Sequence, residues 1–177
     1  MSNLKHWKKK GSKIISKNPF WTYKQDEFEI PDGPSGFYYY VHTNGSSMVV
    51  PIKDNKIVMV KQYRYLCNNE VLEFPCGGVK DGASFLDTAR HELTEETGYR
   101  AKNISEAGQF LPFNGISNEV CKVFVARELE QVGSNPDDTE EFEVHEYSFD
   151  DIEKMIVDKK IHDGMTLAAW AMVRSNI

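Results

Sequence analysis

No apolar run in this chain is long enough to cross a bilayer as a helix. The longest candidates, Met48–Ile52 and Leu167–Val173, have the length of a strand and of a core helix. The basic residues near the start (Lys5, Lys8, Lys9, Lys10, Lys13 and Lys17) are followed by no apolar segment, so no secretory signal is expected there. A solvated face is the simplest reading of these lysines. Cysteine is scarce: Cys67, Cys76 and Cys121 form an odd set, and none pairs with another at metal-ligand spacing. Reduced thiols in a cytoplasm fit that pattern. Positive charge is in deficit, with 21 Lys and Arg against 27 Asp and Glu for a net charge of −6. Non-specific binding to nucleic acid is therefore not favoured, and an anionic substrate would need a metal ion or local basic groups to hold it. Internal repeats and low-complexity tracts are absent as well. What is present is 177 residues, 40% of them apolar and 12% aromatic, enough for one domain with a core.

Strand-like stretches occupy Lys13–Ser16, Trp21–Tyr23 and Glu27–Ile30, and Pro31–Gly36 is a turn cluster. Phe37–Val41 and Ser47–Ile52 read as strands. Asp54-Asn55 is a hairpin turn into a strand over Lys56–Tyr63, and Glu70–Phe74 is a short extended run. The pattern then changes to helical spacing over residues 84–97. Ser84 with Asp87 makes the N-cap, Phe85, Leu86, Ala89 and Leu93 form one apolar stripe, and Gly98 stands at the C′ position. Further strands are expected near residues 106–113, 119–127 and 141–148. Two helical stretches close the chain, the first lined by Ile152, Met155 and Ile156, the second by Leu167, Trp170, Ala171 and Val173. Strands and helices in this irregular order predict an α+β fold, a mixed sheet covered by helices.

Glu92, Glu95 and Glu96 stand at i, i+3 and i+4, so a helix projects all three from one face. Like charges at that spacing cost a few tenths of a kcal/mol each. Two of them fall in the last turn, where the helix dipole disfavours anions. Taken alone, the three glutamates read as a solvated acidic face. Upstream, however, lies Phe74-Pro-Cys-Gly-Gly-Val-Lys-Asp-Gly82. Pro75 fixes the chain direction there, and paired glycines let backbone approach a ligand closely. Hard divalent cations prefer oxygen donors, so the carboxylates together with a backbone carbonyl make a candidate cation site.

These residues resemble the Nudix box, Gly-x5-Glu-x7-Arg-Glu-U-x-Glu-Glu-x-Gly-U, where U is bulky and aliphatic. Gly77, Glu92, Leu93, Glu95, Glu96 and Gly98 match, and Tyr99 stands at the final apolar position. Ala83 replaces the box's first Glu and His91 its Arg, a pair usually regarded as structural. Flanking runs, Gln62-Tyr-Arg64, Glu73-Phe-Pro-Cys-Gly77, Pro112–Glu119 and Asp137–Val144, look like those of ADP-ribose pyrophosphatases and related nucleotide-sugar hydrolases. The likeness runs from about residue 47 to 148.

The resemblance implies a Nudix-type α/β/α sandwich with a central mixed sheet over residues 41–177, behind N-terminal strands in residues 1–40 that serve as a dimerisation segment. It implies Mg²⁺, with Mn²⁺ as a substitute, held by Glu92, Glu96 and the Cys76 carbonyl. Glu95 would be a ligand or support one, and Glu140, ahead of Asp138, would be the base or a further ligand. The implied reaction cuts the pyrophosphate bond of a nucleoside diphosphate sugar to a nucleoside monophosphate and a sugar phosphate. The implied protein is a cytoplasmic homodimer acting on a small molecule, with no nucleic acid or membrane partner. Arg64 would either hold a substrate phosphate or form a surface ion pair, and Glu119 would contact substrate or order its own loop. His91 and His145 are expected to be structural. Trp21 and Phe28 are open between stacking on a base and simple packing. The competing functional reading is a nucleotide-binding sensor on the same fold, motivated by the two departures from the box.

Overall fold

The computed structural model describes residues 4–135 and 141–177. Contacts within the chain separate it into two compact units, one of Met1–Asn44 with Phe113–Glu119 and one of Gly45–Pro112 with Val120–Ile177.

The first unit is an antiparallel sheet in which β1 (Lys8–Lys17), β2 (Thr22–Glu29) and β3 (Ser35–His42) follow in order. The two separate stretches expected over residues 21–30 are thus one strand. Its lysines face solvent as expected, and two of them find acids on β2: Lys9 lies 2.7 Å from Asp26 and Lys10 3.0 Å from Glu29. Asp32, with φ of 55°, turns the chain from β2 into β3. Phe28 is covered by Trp7, ring centroids 4.3 Å apart, whereas Trp21 is exposed.

The second unit is built on β4 (Ser46–Lys53) and β5 (Lys56–Arg64). Asp54 and Asn55 join them with φ of 48° and 60°, the left-handed pair that a tight two-residue hairpin needs. A 3-10 turn, Tyr65–Cys67, leads to β6 (Asn69–Glu73) and then β7 (Cys76–Gly78). After helix α1 (Phe85–Thr97) come β8 (Tyr99–Phe110), β9 (Cys121–Gln131), β10 (Glu143–Tyr147), α2 (Phe149–Val157) and α3 (Gly164–Val173). The sheet order is β10-β5-β4-β9-β8, with β6 paired to β5 and β7 to β4. The β4–β9 pairing is parallel and the others are antiparallel, so the sheet is mixed.

The middle stretches of the central strands, Met48–Ile52 and Ile57–Val60, are apolar at consecutive positions because both faces are covered there. On one face Met48, Val50, Ile57, Met59, Cys121 and Val123 pack with Ile152 of α2 and Ala169, Trp170 and Val173 of α3. On the other, Val49, Val58, Phe124 and Ala126 pack with Ala89 and Leu93 of α1. That alternation is the period of two of a strand read from both sides, and it makes the α/β/α sandwich.

Three sequence expectations shift. The strand expected near residues 106–113 is β8, which begins at Tyr99, directly after the helix, and ends at Phe110. It lies at the sheet edge with most of its residues exposed, so polar side chains hide its alternation. Gly108 sits at a register shift within it, with φ of 151°. The strand expected over residues 119–127 starts and ends later, at Cys121–Gln131. In α3 the buried stripe is Thr166, Ala169, Trp170 and Val173; Leu167 is half-buried and Ala171 faces solvent.

Candidate active site

Helix α1 starts where Ser84 accepts a hydrogen bond from the Asp87 amide at 3.1 Å, and it ends where Gly98 adopts φ of 72°. Between these caps, Ala89, Leu93 and Glu96 follow at i, i+4 and i+7, which places a carboxylate at the end of the apolar stripe. Glu96 is 5% exposed, and the side chains of Glu92 and Glu95 are 14% and 13% exposed. This is no solvated acidic face: the three carboxylates are drawn toward the sheet, where burial raises the cost of their charges.

The loop from β6 to β7 closes over them. The Cys76 amide donates to Glu96 Oε1 at 3.4 Å, and Glu96 Oε2 is buried. Gly77 lies so close to Glu92 that a Cβ there would fall 2.2 Å from its Oε1. The glycine is required for that approach, while Gly78 beside it has open space. A cradle of this kind with an all-oxygen donor set (Glu92, Glu96 and backbone carbonyl) fits a hard divalent cation. The Cys76 thiol is held well above its ordinary pKa by a hydrogen bond with Cys121 and by burial, so it stays protonated and unreactive.

Two supports of this loop carry no local signal in the sequence. Arg64, at the end of β5, grips Glu73 with both Nε, at 2.9 Å, and Nη2. Glu73 is buried. That pair raises the Arg64 pKa, and the nearby charge of Glu96 raises it further. Arg64 thus pairs with a buried acid two residues ahead of Pro75 and not with a surface one, and Nη1 takes no part in that pair. From the far side, the Thr166 hydroxyl accepts the Phe74 amide at 3.3 Å, and Asp163 caps Thr166 at 2.7 Å.

His91 contacts the ridge from outside: its Nδ1 is 2.7 Å from Glu95 Oε2 and 4.0 Å from Glu92 Oε1. Ala83 is exposed, in the turn ahead of the helix. His145 pairs with Glu143 at 3.2 Å. Glu119 belongs to the first unit, where its amide donates to Ser117 Oγ at 3.2 Å. Glu140 and Asp138 lie outside the described residues. Among the described residues, the structure therefore brings together Cys76, Glu92, Glu95 and Glu96, with Arg64 within electrostatic reach.

Residues 43–167 match the family model described as the NUDIX domain. The chain is 33% identical over 147 residues to an ADP-ribose pyrophosphatase of Bacillus subtilis, covering 81% of this chain and 80% of that protein. It is 31% identical to a methanol dehydrogenase activator of Bacillus methanolicus, with the same coverage of both. A solved structure of an ADP compounds hydrolase superimposes with a TM-score of 0.85 at 19% identity, covering 99% of this chain and 96% of that one, a likeness of fold.

Proposed function

The chain belongs to the Nudix family of pyrophosphohydrolases, and from that premise we propose that it hydrolyses a nucleoside diphosphate sugar of the ADP-ribose class in the presence of Mg²⁺. The observation that carries this reading is the largely buried ridge of Glu92, Glu95 and Glu96, with Glu92 against a glycine that has no room for a side chain. Keeping three anions there costs stability unless a cation is bound. The name of the Bacillus subtilis relative supports the substrate class.

In this reading Glu92, Glu96 and the Cys76 carbonyl hold the cation, and Mn²⁺ substitutes for Mg²⁺. A divalent cation held there would supply charge neutralisation for the pyrophosphate and a lowered pKa for a bound water. Glu140 would accept the proton of the attacking water as the water oxygen bonds to phosphorus. The bridging P–O bond breaks, and the products are a nucleoside monophosphate and a sugar phosphate. Arg64, fixed by Glu73 through Nε and Nη2, turns Nη1 toward a substrate phosphate. Glu95 positions its neighbours or binds directly, and Glu119 contacts the sugar or orders its own loop.

We extend the proposal to the assembly. The first unit, covering residues 1–40 of the dimerisation segment, exposes Trp7, Ile14, Ile15, Phe20, Phe37 and Tyr39. A second copy covering those side chains would make the homodimer, readable by light scattering. None of Cys67, Cys76 and Cys121 is in a disulfide, which suits a cytoplasm. Among the described residues, no helix is long and apolar enough to cross a membrane.

Mass spectrometry of products from ADP-ribose tests the reaction. AMP and ribose 5-phosphate are expected only with a divalent cation. Preference for nucleoside triphosphates with release of pyrophosphate would refute the substrate class, and binding without cleavage would favour the sensor.

A further inference from the structure

Glycine follows asparagine at Asn44-Gly45 and at Asn114-Gly115. Such a pair is chemically self-reactive, because the glycine nitrogen carries no Cβ with it as it approaches the asparagine carboxamide. The fold treats the two pairs differently.

Asn114 and Gly115 are exposed, in the turn over residues 112–116. The Phe113 carbonyl closes this turn by accepting the Ile116 amide at 2.9 Å and the Ser117 amide at 2.8 Å. Both bonds step over Asn114 and Gly115. Among the described residues, neither the Asn114 carboxamide nor the Gly115 N–H makes a hydrogen bond. The Gly115 carbonyl accepts the Tyr38 hydroxyl at 3.0 Å, and a Cβ on Gly115 would meet nothing within 4 Å. Nucleophile and electrophile are thus adjacent in the chain, unengaged and in open space.

Gly45 is held instead. It is buried with φ of 98°, its carbonyl accepts the Val79 amide at 2.9 Å, and the next amide, that of Ser46, donates to the Val120 carbonyl at 3.0 Å. A Cβ there would stand 2.7 Å from the Val120 oxygen and 2.8 Å from the Phe85 ring, so this backbone has no room to swing.

We propose that Asn114-Gly115 is a self-modifying site, which deamidates to aspartate and isoaspartate in the folded protein while Asn44 keeps its amide. The Gly115 nitrogen bonds to Asn114 Cγ, the Cγ–Nδ2 bond breaks, and ammonia leaves with the Gly115 amide proton. Water then opens the resulting succinimide. Attack at Cγ gives aspartate, and attack at the main-chain carbonyl carbon gives isoaspartate, whose backbone runs through Cβ and Cγ. Either product adds a carboxylate. Isoaspartate also inserts a carbon between Phe113 and Ile116, so the amides that reach back to Phe113 lose their register. The Ile116 carbonyl accepts the Val41 amide at 2.9 Å, and Asn118 Oδ1 accepts the Thr43 amide at 3.0 Å. Isoaspartate therefore loosens the tie of this loop to β3.

The test ages the whole protein in warm, mildly alkaline buffer and follows both asparagines by peptide mass spectrometry. Each rate is divided by that of the same asparagine in denaturant. In folded protein the Asn114 peptide should gain the mass of a carboxylate over an amide, with isoaspartate confirmed by isoaspartyl methyltransferase labelling. The relative rate at Asn44 should be at least about tenfold lower, since two backbone hydrogen bonds have to open first. Gly115→Ala, whose methyl meets open space, should fold as wild type and slow Asn114 at least severalfold. Hydrogen exchange at the Val41 amide should be faster in the isoaspartate fraction. The proposal is overturned if folded protein converts Asn44 as readily as Asn114, if Asn114 keeps its amide while the denatured chain loses it, if Gly115→Ala leaves the Asn114 rate unchanged, or if Val41 exchanges alike in both fractions.

Discussion

One methyl group at Gly77 separates the catalytic reading of the ridge from a structural one. A Cβ there would stand 2.2 Å from both Cδ and Oε1 of Glu92 and 2.6 Å from Oε2. Ordinary contact begins at 3.4 Å, so the carboxylate has to retreat by more than about 1 Å. The atoms in the way are the far end of a flexible side chain, so the fold absorbs the change and the site does not. A misplacement of about 1 Å at a reacting centre costs on the order of 100-fold, or about 2.7 kcal/mol. Gly77→Ala should therefore lower kcat/KM on a nucleotide sugar by about 100-fold and weaken Mg²⁺ binding. Its melting temperature should hold or rise, because alanine restricts the unfolded chain by about 0.4–1 kcal/mol. Gly78→Ala, whose Cβ meets nothing within 4 Å, is the control and should be nearly silent in both assays. Gly77→Ala with near wild-type turnover and Mg²⁺ affinity would refute the placement of Glu92 in the cation site. Equal losses in both variants would point to backbone stiffness in the loop instead.

Glu92→Gln and Glu96→Gln should each lower turnover by at least about 100-fold, and neither should lower stability without metal, since each relieves like-charge repulsion; steady-state kinetics and denaturant melts check this. Glu140→Gln should depress kcat and kcat/KM together, as expected for a group acting in the transition state. If Asp138→Asn or Glu141→Gln is crippling while Glu140→Gln is mild, a different carboxylate of that segment is the base. Lys53 donates to Glu146 at 2.6 Å, and this bond holds the Glu146 carboxyl below its ordinary pKa of 4.5. A lowered folded-state pKa gives stability that is present above pH 4.5 and lost as pH falls through the lower folded value. Acid melts should therefore show Glu146→Gln less stable than wild type near neutrality, with the gap closing below that range.

How much of this was legible in the sequence follows from the distance over which each feature is encoded. Helix α1 was readable end to end because its cap, stripe and C′ glycine lie within fifteen residues, Ser84 to Gly98. The Asp54-Asn55 turn was equally local. The carboxylate ridge followed from helix periodicity alone, but its burial did not, because that needs β7 laid against α1. Arg64 remained open between two roles for the same reason. Its partner, Glu73, is buried only once β6 pairs with β5 and brings Val60 opposite Glu73. Thr166 reaches the Phe74 amide across 92 residues, and no pattern in either segment announces it. Strand β8 was misplaced because an edge strand shows solvent most of its length and carries the polar composition of a loop.

The local rules that α1 breaks fall at the proposed site. Its first half obeys every preference of a helix: a serine cap, an acid in the first turn and an apolar stripe facing the sheet. Its second half reverses them, with two acids in the last turn and a carboxylate at the core-facing position of Glu96. A helix selected only for packing would place an apolar residue at Glu96 and gain by it, since a well-packed apolar replacement of a buried charge is often neutral or stabilising. The β6–β7 loop shows the same inversion. Gly77 forgoes a side chain beside Glu92, the pairing of β6 stops two residues ahead of Pro75, and the buried charge of Glu73, paired with exposed Arg64, lies just upstream. Each choice costs stability taken alone, and all of them converge on the space between the Cys76 backbone and the Glu92 and Glu96 carboxylates. A cation bound there, as proposed, would offset the costs jointly. Apo protein should accordingly be stabilised by Mg²⁺ more than Glu96→Gln is, by a margin that grows with Mg²⁺ concentration as mass action requires. Equal shifts in melting temperature for the two proteins would place the cation elsewhere.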